Sequence, residues 1–216
     1  MAEDRKQCLV NNQKMSVEQI PLGPFGTNAY LVTCNQTGEC LLIDAPGEAE
    51  VLQKLLEGKN LKQLLLTHNH LDHLGALQEI KNAFQLPVAV HPEDQGALPV
   101  PPDQHLAPGQ NIAVGNLELK VFHTPGHTPG SVCFYQENTL IAGDTIFPGG
   151  PGKTSSPEDF RTLFNSIKEV ILPLPEETLI LPGHGEHTYL KKEKEKINRF
   201  EEKGFSSQLY GDVTWE

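Results

Sequence analysis

Alternating apolar and polar segments predict a chain built from strands and helices in layers. Apolar runs of strand length occur in "NAYLVTC", "ECLLIDA", "LKQLLLTH", "LPVAVH", "LELKVFHT", "SVCFYQ", "TLIAGDTIF" and "ETLILPGHG". The leucines of "LKQLLLTH" are continuous rather than alternating, which is typical of a strand that is buried on both faces. The "NQTG" between the first two runs is a turn signal. These runs predict one or more sheets with a buried core.

Apolar residues at helical spacing predict helices between several of these strands. They occur in residues 47–60, 74–84 and 155–172, and the last segment opens with a serine cap followed by Pro157. A strongly charged helix, "TYLKKEKEKINRFEEK", follows and is expected to present a solvated face. The order strand, helix, strand favours an α/β layered fold.

The length of the chain favours a single domain. With 216 residues, we expect one domain over residues 17–216, preceded by a polar, aperiodic tail at residues 1–16. Residues 92–111 are rich in Pro, Asp and Gln, and a loop of this length in a domain is usually functional or mobile.

Composition and charge argue against several classes of partner. A net charge of −11 argues against nucleic acid, because affinity for phosphate backbones requires clustered Lys and Arg. No segment approaches the roughly 20 apolar residues that span a bilayer, and the N-terminus has no signal-peptide pattern. We therefore expect a cytoplasmic protein with no membrane partner. Its four cysteines fit no CxxC pair, and Cys133 is expected to be a small core residue.

The segment "LLLTHNHLDHLGAL" carries the strongest chemical signal. Three histidines, His68, His70 and His73, surround Asp72 at the end of an apolar run, although the chain contains only nine histidines. Structural histidines usually occur alone, whereas clustered His and Asp at short spacing are typical of a metal site. Neutral imidazole is a good ligand at pH 7, since its ordinary pKa is about 6.5.

Three further residues follow the same pattern of a polar group where a strand ends. His127 lies in "HTPGHTPGS", Asp144 ends "LIAGD", and His184 lies between glycines in "LPGHGEHT". Loops at strand ends meet at one edge of a sheet, where α/β folds commonly place their active sites. A site made only of nitrogen and oxygen donors suits zinc, iron or manganese.

The remaining histidines and Asp44 are not predicted to bind the metal directly. A surface or structural role is expected for each of His91, His105, His123 and His187. Asp44 ends "LLID" and has two competing interpretations. It either accepts a hydrogen bond from a metal-bound imidazole or stabilises a turn.

Four motifs taken in order carry a resemblance to a known family. The segments "THNHLDH", "TPGHTPGS", "AGDTIF" and "PGHGE" resemble the metallo-β-lactamase superfamily of metal-dependent hydrolases, and most closely its glyoxalase II-like branch, the hydroxyacylglutathione hydrolases. The resemblance extends from about Val17 to His187. It implies a four-layer αββα sandwich with the metals at one edge of the paired sheets.

The resemblance also implies a role for each motif residue. Two divalent metal ions are expected, most simply zinc, with iron or manganese as alternatives. Asp72 is predicted to be both a ligand and a catalytic residue. The implied ligand sets are His68, His70 and His127 for the first ion, and Asp72, His73 and His184 for the second, with Asp144 bridging both.

The implied reaction is hydrolysis of a thioester. A water between two cations loses a proton near neutral pH and becomes a nucleophile. A thiolate leaves readily because an ordinary thiol has a pKa of about 8.5, so that no general acid is required. The expected substrate is a small anionic thioester, such as an S-acyl glutathione-like compound. The sequence does not indicate the oligomeric state.

Two departures from the family pattern bear on the substrate. Glyoxalase II enzymes carry a helical C-terminal extension that grips glutathione, whereas a single charged helix follows His184 here. The stretch "GGPGKTSS" resembles the glutathione-contacting segment, and Lys153 is its candidate substrate contact. Ser155 stands where those enzymes have a tyrosine, and a solvated loop lysine is the competing interpretation of Lys153.

Two other reactions of the same superfamily compete with this hypothesis. Persulfide dioxygenases share the ligand motifs but use one iron, and their "GRTDF"-like stretch reads "GKTSS" here, which favours hydrolysis. RNA-processing nucleases also share the fold, but the acidic charge argues against them. The presence of His70 and Asp144 disfavours flavodiiron proteins and zinc β-lactamases, which typically place glutamate and cysteine at these positions.

Overall fold

Two mixed sheets form the centre of the protein. The computed structural model describes residues 5–216, so the first four residues of the predicted tail lie outside the described part. The first sheet has seven strands in chain order: β1 (Gln7–Asn11), β2 (Met15–Leu22), β3 (Thr27–Cys34), β4 (Glu39–Ile43), β5 (Asn60–Leu65), β6 (Val88–Val90) and β7 (Gln104–His105). Strands β1 to β4 are antiparallel, and β4 to β7 are parallel.

The second sheet has six strands. They are β8 (Asn111–Val114), β9 (Leu117–His123), β10 (Val132–Gln136), β11 (Thr139–Gly143), β14 (Leu179–Pro182) and β15 (Thr188–Tyr189). Only the β11–β14 pair is parallel. A separate two-stranded ribbon contains β12 (Ile146–Phe147) and β13 (Gly150–Pro151).

Helices cover the outer faces of both sheets. They are α1 (Ala49–Leu56), α2 (Leu71–Leu74), α3 (Leu77–Phe84), α4 (Pro157–Ser166) and α5 (Leu190–Lys203), with a 3₁₀ helix at Pro92–Ala97 and a π-helical turn at Ile167–Ile171. The α4 helix begins as its sequence predicts, because the Ser156 hydroxyl accepts a hydrogen bond from the Asp159 amide at 3.1 Å. Such a cap satisfies one of the unpaired amides of the first turn.

Three apolar clusters separate the four layers. Residues such as Val17, Leu41 and Phe134 fill the space between the sheets. Leu52 and Ile80 pack α1 and α3 against the first sheet. Leu163 and Ile197 pack α4 and α5 against the second. The predicted αββα sandwich is therefore confirmed, and the described part of the chain has no helix long and apolar enough to cross a membrane.

Several boundaries differ from the prediction. The predicted polar tail is wrong from Gln7 onward, because β1 pairs with β2 along the sheet edge. The 92–111 loop contains the 3₁₀ helix and β7. The helix expected at 74–84 is two helices, and the first contains Asp72 and His73.

The C-terminal helix is not a purely solvated face. It buries Leu190, Ile197 and Phe200, and it also buries Glu193. The Glu193 carboxylate accepts hydrogen bonds from the Gly149 amide at 2.8 Å and from the Thr188 hydroxyl at 2.9 Å. A buried carboxylate is tolerated when such donors satisfy it.

Candidate metal centre

Strand pairing brings the predicted site residues to one edge of the sandwich. The β4–β5 register pairs Ile43 with Leu65, so that Asp44 lies beside the beginning of the histidine segment. The β11–β14 register pairs Gly143 with Pro182, which places Asp144 beside the loop of His184. Parallel neighbours end at the same edge of a sheet, which is why residues distant in sequence meet here.

All seven predicted ligand residues lie together at this edge. Within each of three overlapping groups, one donor atom per residue lies within 4.8 Å of the others. His68 is at the centre, with its ring centroid 4.1 Å from that of His73 and 4.8 Å from that of His127. The groups are His68, His70 and His127; His68, His73 and Asp144; and Asp72, His73 and His184.

Asp144 lies between the two predicted ligand sets. Its Oδ1 is 3.3 Å from His73 Nε2, and its Oδ2 is 3.5 Å from His127 Nε2 and also 3.5 Å from His184 Nε2. Asp72 lies on the His184 side, with Oδ2 3.1 Å from His184 Nε2. The Asp144 carboxylate thus contacts imidazoles of both predicted ligand sets, and its Oδ2 alone lies beside one imidazole of each.

A buried carboxylate orients His73. Asp44 Oδ2 is 2.8 Å from His73 Nδ1 and accepts a hydrogen bond from the Thr67 hydroxyl at 2.7 Å. Its Oδ1 accepts from the Thr67 amide at 2.8 Å. With Nδ1 donating to Asp44, His73 directs Nε2 into the site. Asp44 itself has a φ of 60°, a left-handed conformation that Asp adopts more readily than most residues.

Backbone carbonyls and close glycines position other candidate ligands. His127 Nδ1 donates to the Lys153 carbonyl at 2.8 Å. Asn28 and Tyr30 donate to the Pro182 carbonyl and hold the loop that carries His184. A Cβ atom at Gly183 would collide with Asp144 Oδ1, so only glycine fits this close approach.

Burial and neighbouring charges make the histidines electrostatically different. Burial lowers the pKa of His68 and of His127. Burial would also lower the pKa of His73, but the carboxylates of Asp44 and Asp144 outweigh it and raise this pKa to about 10. Burial would raise the pKa of Asp144, but the close His184 and His73 rings hold it well below its usual range. The centre therefore contains an anionic carboxylate among donors that can lose their protons to a cation.

Unpaired buried atoms provide a test of whether metal ions fit this site. Among the described residues, four buried site atoms have no hydrogen-bond partner: His68 Nε2, His73 Nε2, His127 Nε2 and Asp144 Oδ1. Leaving such a group unpaired costs about 1–3 kcal/mol. All four belong to the overlapping groups of donors described above. Divalent cations would satisfy them together, so the residues fit metal ions.

Sequence reasoning missed the carboxylate of Asp94. This residue is completely buried in the 3₁₀ helix, at 0% exposure. Its Oδ2 accepts from the Asn69 amide at 3.1 Å and from the Thr128 hydroxyl at 2.7 Å, and its Oδ1 accepts from the Gly130 amide at 2.8 Å. Asp94 thus connects the His68–His73 segment with the loop of His127. An acidic residue in a Pro-rich loop gives no sequence signal for this role.

The other predicted residues lie apart from the donor groups. His123 stacks on His91 at 4.1 Å and bonds to the Pro129 carbonyl at 2.9 Å. His105 bonds to Gln95 at 2.9 Å, and the His187 ring lies 6.5 Å from that of Tyr189. Lys153 lines a cavity of about 350 Å³ that His127, Asp144 and His184 also line.

A family model identifies the class of protein. The model described as the metallo-beta-lactamase superfamily matches residues 22–184, so the chain belongs to this superfamily of metal-dependent hydrolases. Its members bind divalent metal ions, often two.

Individual relatives represent more than one branch of the superfamily. The chain is 34% identical to the probable metallo-hydrolase YqgX of Bacillus subtilis over 204 residues, which cover 84% of this chain and 96% of that protein. It is 34% identical to the hydroxyacylglutathione hydrolase GloC of Haemophilus influenzae over 203 residues, which cover 83% and 95%.

Solved structures show the same spread. The BLEG-1 B3 metallo-beta-lactamase aligns with a TM-score of 0.76 at 34% identity, covering 83% of this chain and 96% of that one. TTHA1623 in a di-iron-bound form aligns with a TM-score of 0.71 at 34% identity, covering 82% of this chain and 96% of that one. ETHE1 from Myxococcus xanthus aligns with a TM-score of 0.73 at 26% identity, covering 85% of this chain and 83% of that one.

Proposed function

We propose that the protein uses two divalent metal ions to hydrolyse thioesters, with S-acyl glutathione-like compounds as the first substrates to test. The observation that carries the proposal is the position of Asp144, whose carboxylate lies within 3.5 Å of His127 from one proposed ligand set and of His73 and His184 from the other. We propose His68, His70 and His127 as ligands of one ion, Asp72, His73 and His184 as ligands of the other, and Asp144 as the bridge. The similarity to the hydroxyacylglutathione hydrolase GloC supports thioester cleavage.

The chain's own residues would prepare the reaction. When bound, two divalent cations supply a hydroxide at neutral pH and polarise a carbonyl group. Asp72 Oδ2 accepts a hydrogen bond from the Thr27 hydroxyl at 3.3 Å and lies 3.1 Å from His184 Nε2. We propose that its other oxygen accepts a hydrogen bond from the attacking water and orients it. The departing thiolate needs no protonating side chain, because an ordinary thiol has a pKa of only about 8.5.

Zinc is the proposed metal, and iron is the principal alternative. Nitrogen and oxygen donors accept zinc, iron and manganese alike, so the ligand types do not decide between them. Because the similar structure of TTHA1623 is in a di-iron-bound form, the protein should be reconstituted with iron as well as with zinc.

Persulfide oxidation is the second candidate function. The similarity to ETHE1, whose class is the persulfide dioxygenases, is the observation that favours it. The sequence "GKTSS" at residues 152–156, in place of the dioxygenase-like stretch, favours hydrolysis. The similar B3 metallo-beta-lactamase structure adds a β-lactam to the substrates worth testing. The net charge of −11 still argues against an RNA substrate.

One substrate panel distinguishes these reactions. Protein reconstituted separately with zinc and with ferrous iron is assayed with S-lactoylglutathione for thiol release, with glutathione persulfide for oxygen uptake, and with a chromogenic β-lactam. We expect thiol release, without oxygen uptake, and its loss in Asp144→Ala. Oxygen uptake by the iron form without thiol release from any thioester would overturn the proposal.

A further inference from the structure

The space around the metal centre contains more acidic than basic side chains. A cavity of about 740 Å³ on the side of His70 and His127 is lined by Glu93, Glu158 and Asp159, and by no lysine or arginine. The whole chain carries a net charge of −11 before any metal ion is counted. An anionic substrate group would enter this cavity against several carboxylates.

The cation on the opposite side is paired within the chain. Lys153 lines the cavity of about 350 Å³ beside His127 and His184, and Asp212 lines the same cavity. Lys153 Nζ lies 3.7 Å from Asp212 Oδ2. A third cavity of about 390 Å³, beside Gly185, contains Arg5, and the Arg5 guanidinium contacts Glu48 at 2.6 Å. The lysine and the arginine that line these cavities thus each face a carboxylate of the same chain.

The backbone holds Asp212 in this position. The residue before it, Gly211, exchanges two backbone hydrogen bonds with Thr154, at 3.1 and 3.2 Å. The Trp215 amide donates to the Gly149 carbonyl at 2.9 Å, and Val213 and Trp215 are buried in the core beneath α4 and α5. The Lys153 and Asp212 side chains are 69% and 82% exposed, so their attraction is weak by itself, but the main chain on both sides of Asp212 keeps the segment beside Lys153.

An apolar ring borders the same centre. Phe147 lines the cavity that contains Lys153, and its ring stacks on that of His184 at 6.3 Å. The Phe147 ring offers contact area to an uncharged group.

We infer that the protein prefers thioesters whose thiol part carries no net negative charge apart from the departing sulfur, so that glutathione thioesters are cleaved but are not its best substrates, and that Asp212 determines this preference. The inference rests on the proposed thioester hydrolysis and makes neutral or cationic thiol esters the preferred members of its substrate class. Asp212 acts in two ways, by compensating the charge of Lys153 and by repelling an incoming carboxylate. Lys153 would then become a substrate contact for anions only when Asp212 is removed.

Three thioesters with one common acyl group test the inference. Their thiols are thiocholine, N-acetylcysteamine and 3-mercaptopropionate, which carry a positive charge, no charge and a negative charge. Metal-loaded wild type is compared with Asp212→Asn, and each substrate is its own reference, so that differences in thiol pKa cancel. Glu57→Gln removes an exposed negative charge that lines none of the three cavities and is the matched control.

We expect Asp212→Asn to raise kcat/KM for the anionic ester about 3- to 10-fold, mainly through KM, as for removal of one charge several ångströms away. The kcat/KM for the neutral ester should change by less than about twofold in Asp212→Asn. In Glu57→Gln, kcat/KM for the anionic and the neutral ester should each change by less than about twofold. Equal effects of Asp212→Asn on all three esters, or a wild-type preference for the anionic ester that Asp212→Asn does not alter, would overturn the inference.

A binding measurement separates failure of this inference from failure of the proposed function. Calorimetry with the three corresponding thioethers, which cannot be hydrolysed, reports the charge preference without turnover. Absence of hydrolysis of any thioester would refute the proposed function, while the order of thioether affinities would still decide the inference. Tighter binding of the anionic thioether than of the neutral one by wild type would contradict it.

Discussion

The two halves of the chain build the candidate metal centre in different ways. The first half supplies four of the proposed ligands within the run His68–His73, and buried carboxylates, Asp44 and Asp94, hold that run in place. The second half supplies His127, Asp144 and His184 one per loop. There the supports are backbone carbonyls and glycines that permit close approach. Buried carboxylates therefore support the candidate ligands of the first half, whereas glycines leave room for those of the second half.

The largest effect is expected where the two halves meet. Asp144→Ala removes the carboxylate that faces both ligand sets and should lower kcat/KM about 1,000-fold, since metal-ion catalysis contributes several kcal/mol. The melting temperature should fall much less than the activity does. His123→Ala is the comparison, because His123 lies outside the donor groups. Equal losses of activity in both variants at unchanged metal content would show that the assignment of Asp144 as a ligand, and of His123 as a residue without that role, is wrong.

The glycine-supported half is tested by adding one methyl group. In Gly183→Ala the new Cβ would collide with Asp144 Oδ1 and lie 2.7 Å from His73 Cε1. We expect metal affinity to fall about 100-fold, the upper end for displaced supporting groups. Competition with a chromophoric chelator measures it. Gly96→Ala is the control, since nothing lies within 4 Å of its Cβ position, and similar affinities of the two variants would refute the steric account.

The acid-supported half is tested by removing one charge at constant size. Asp94→Asn replaces one of the acceptor oxygens shared by Asn69, Thr128 and Gly130 with an NH₂ group. Metal affinity should fall about tenfold, because ligand-supporting hydrogen bonds are lost. Asp103→Asn makes the same change at an exposed carboxylate that also accepts a backbone amide. If Asp103→Asn weakened metal binding as much as Asp94→Asn, the loss could not be attributed to the connection that Asp94 makes between the His68–His73 segment and the loop of His127.

The two kinds of support also predict different proton release. Asp44 and Asp144 raise the pKa of His73 to about 10, so at pH 7 the folded chain holds a proton that a metal ion must displace. His127 donates to a neutral carbonyl, and burial lowers its pKa, so it has no such proton to lose at pH 7. Metal affinity should therefore rise with pH, by roughly tenfold per unit for one exchanged proton.

Calorimetry in buffers of different ionisation enthalpy measures this release. We expect Asp44→Asn to reduce the number of protons released at pH 7, because it removes one of the two carboxylates that raise the pKa of His73. Unchanged proton release in this variant would contradict the assignment of that proton to His73.

The parts of the centre that could be predicted are those carried by local pattern. The histidine run, the strand-ending Asp144 and the glycine-flanked His184 each have a signal in consecutive residues, and so do the alternating layers of the sandwich. Asp44 could be proposed because it ends an apolar strand, and the structure places it against His73.

The parts that could not be predicted depend on tertiary approach. Asp94 acquires its role only because the 3₁₀ helix passes between two distant loops. The edge strand Gln7–Asn11 has a largely polar, exposed sequence, and its pairing with β2 determines its conformation. Asn28 is a polar residue within a buried strand, and this unusual position could have indicated a supporting role, but rules based on hydrophobic periodicity do not use it.

The number of metal ions per chain tests the central claim most directly. Protein stripped of metal is titrated with zinc and, anaerobically, with ferrous iron, and bound metal is measured by elemental analysis after removal of the free ions. The proposed ligand sets, joined by Asp144, predict a plateau at two equivalents for wild type. Asp144→Ala should hold fewer ions under the same conditions. A firm plateau at one equivalent in wild type would contradict the binuclear centre and favour the mononuclear dioxygenase.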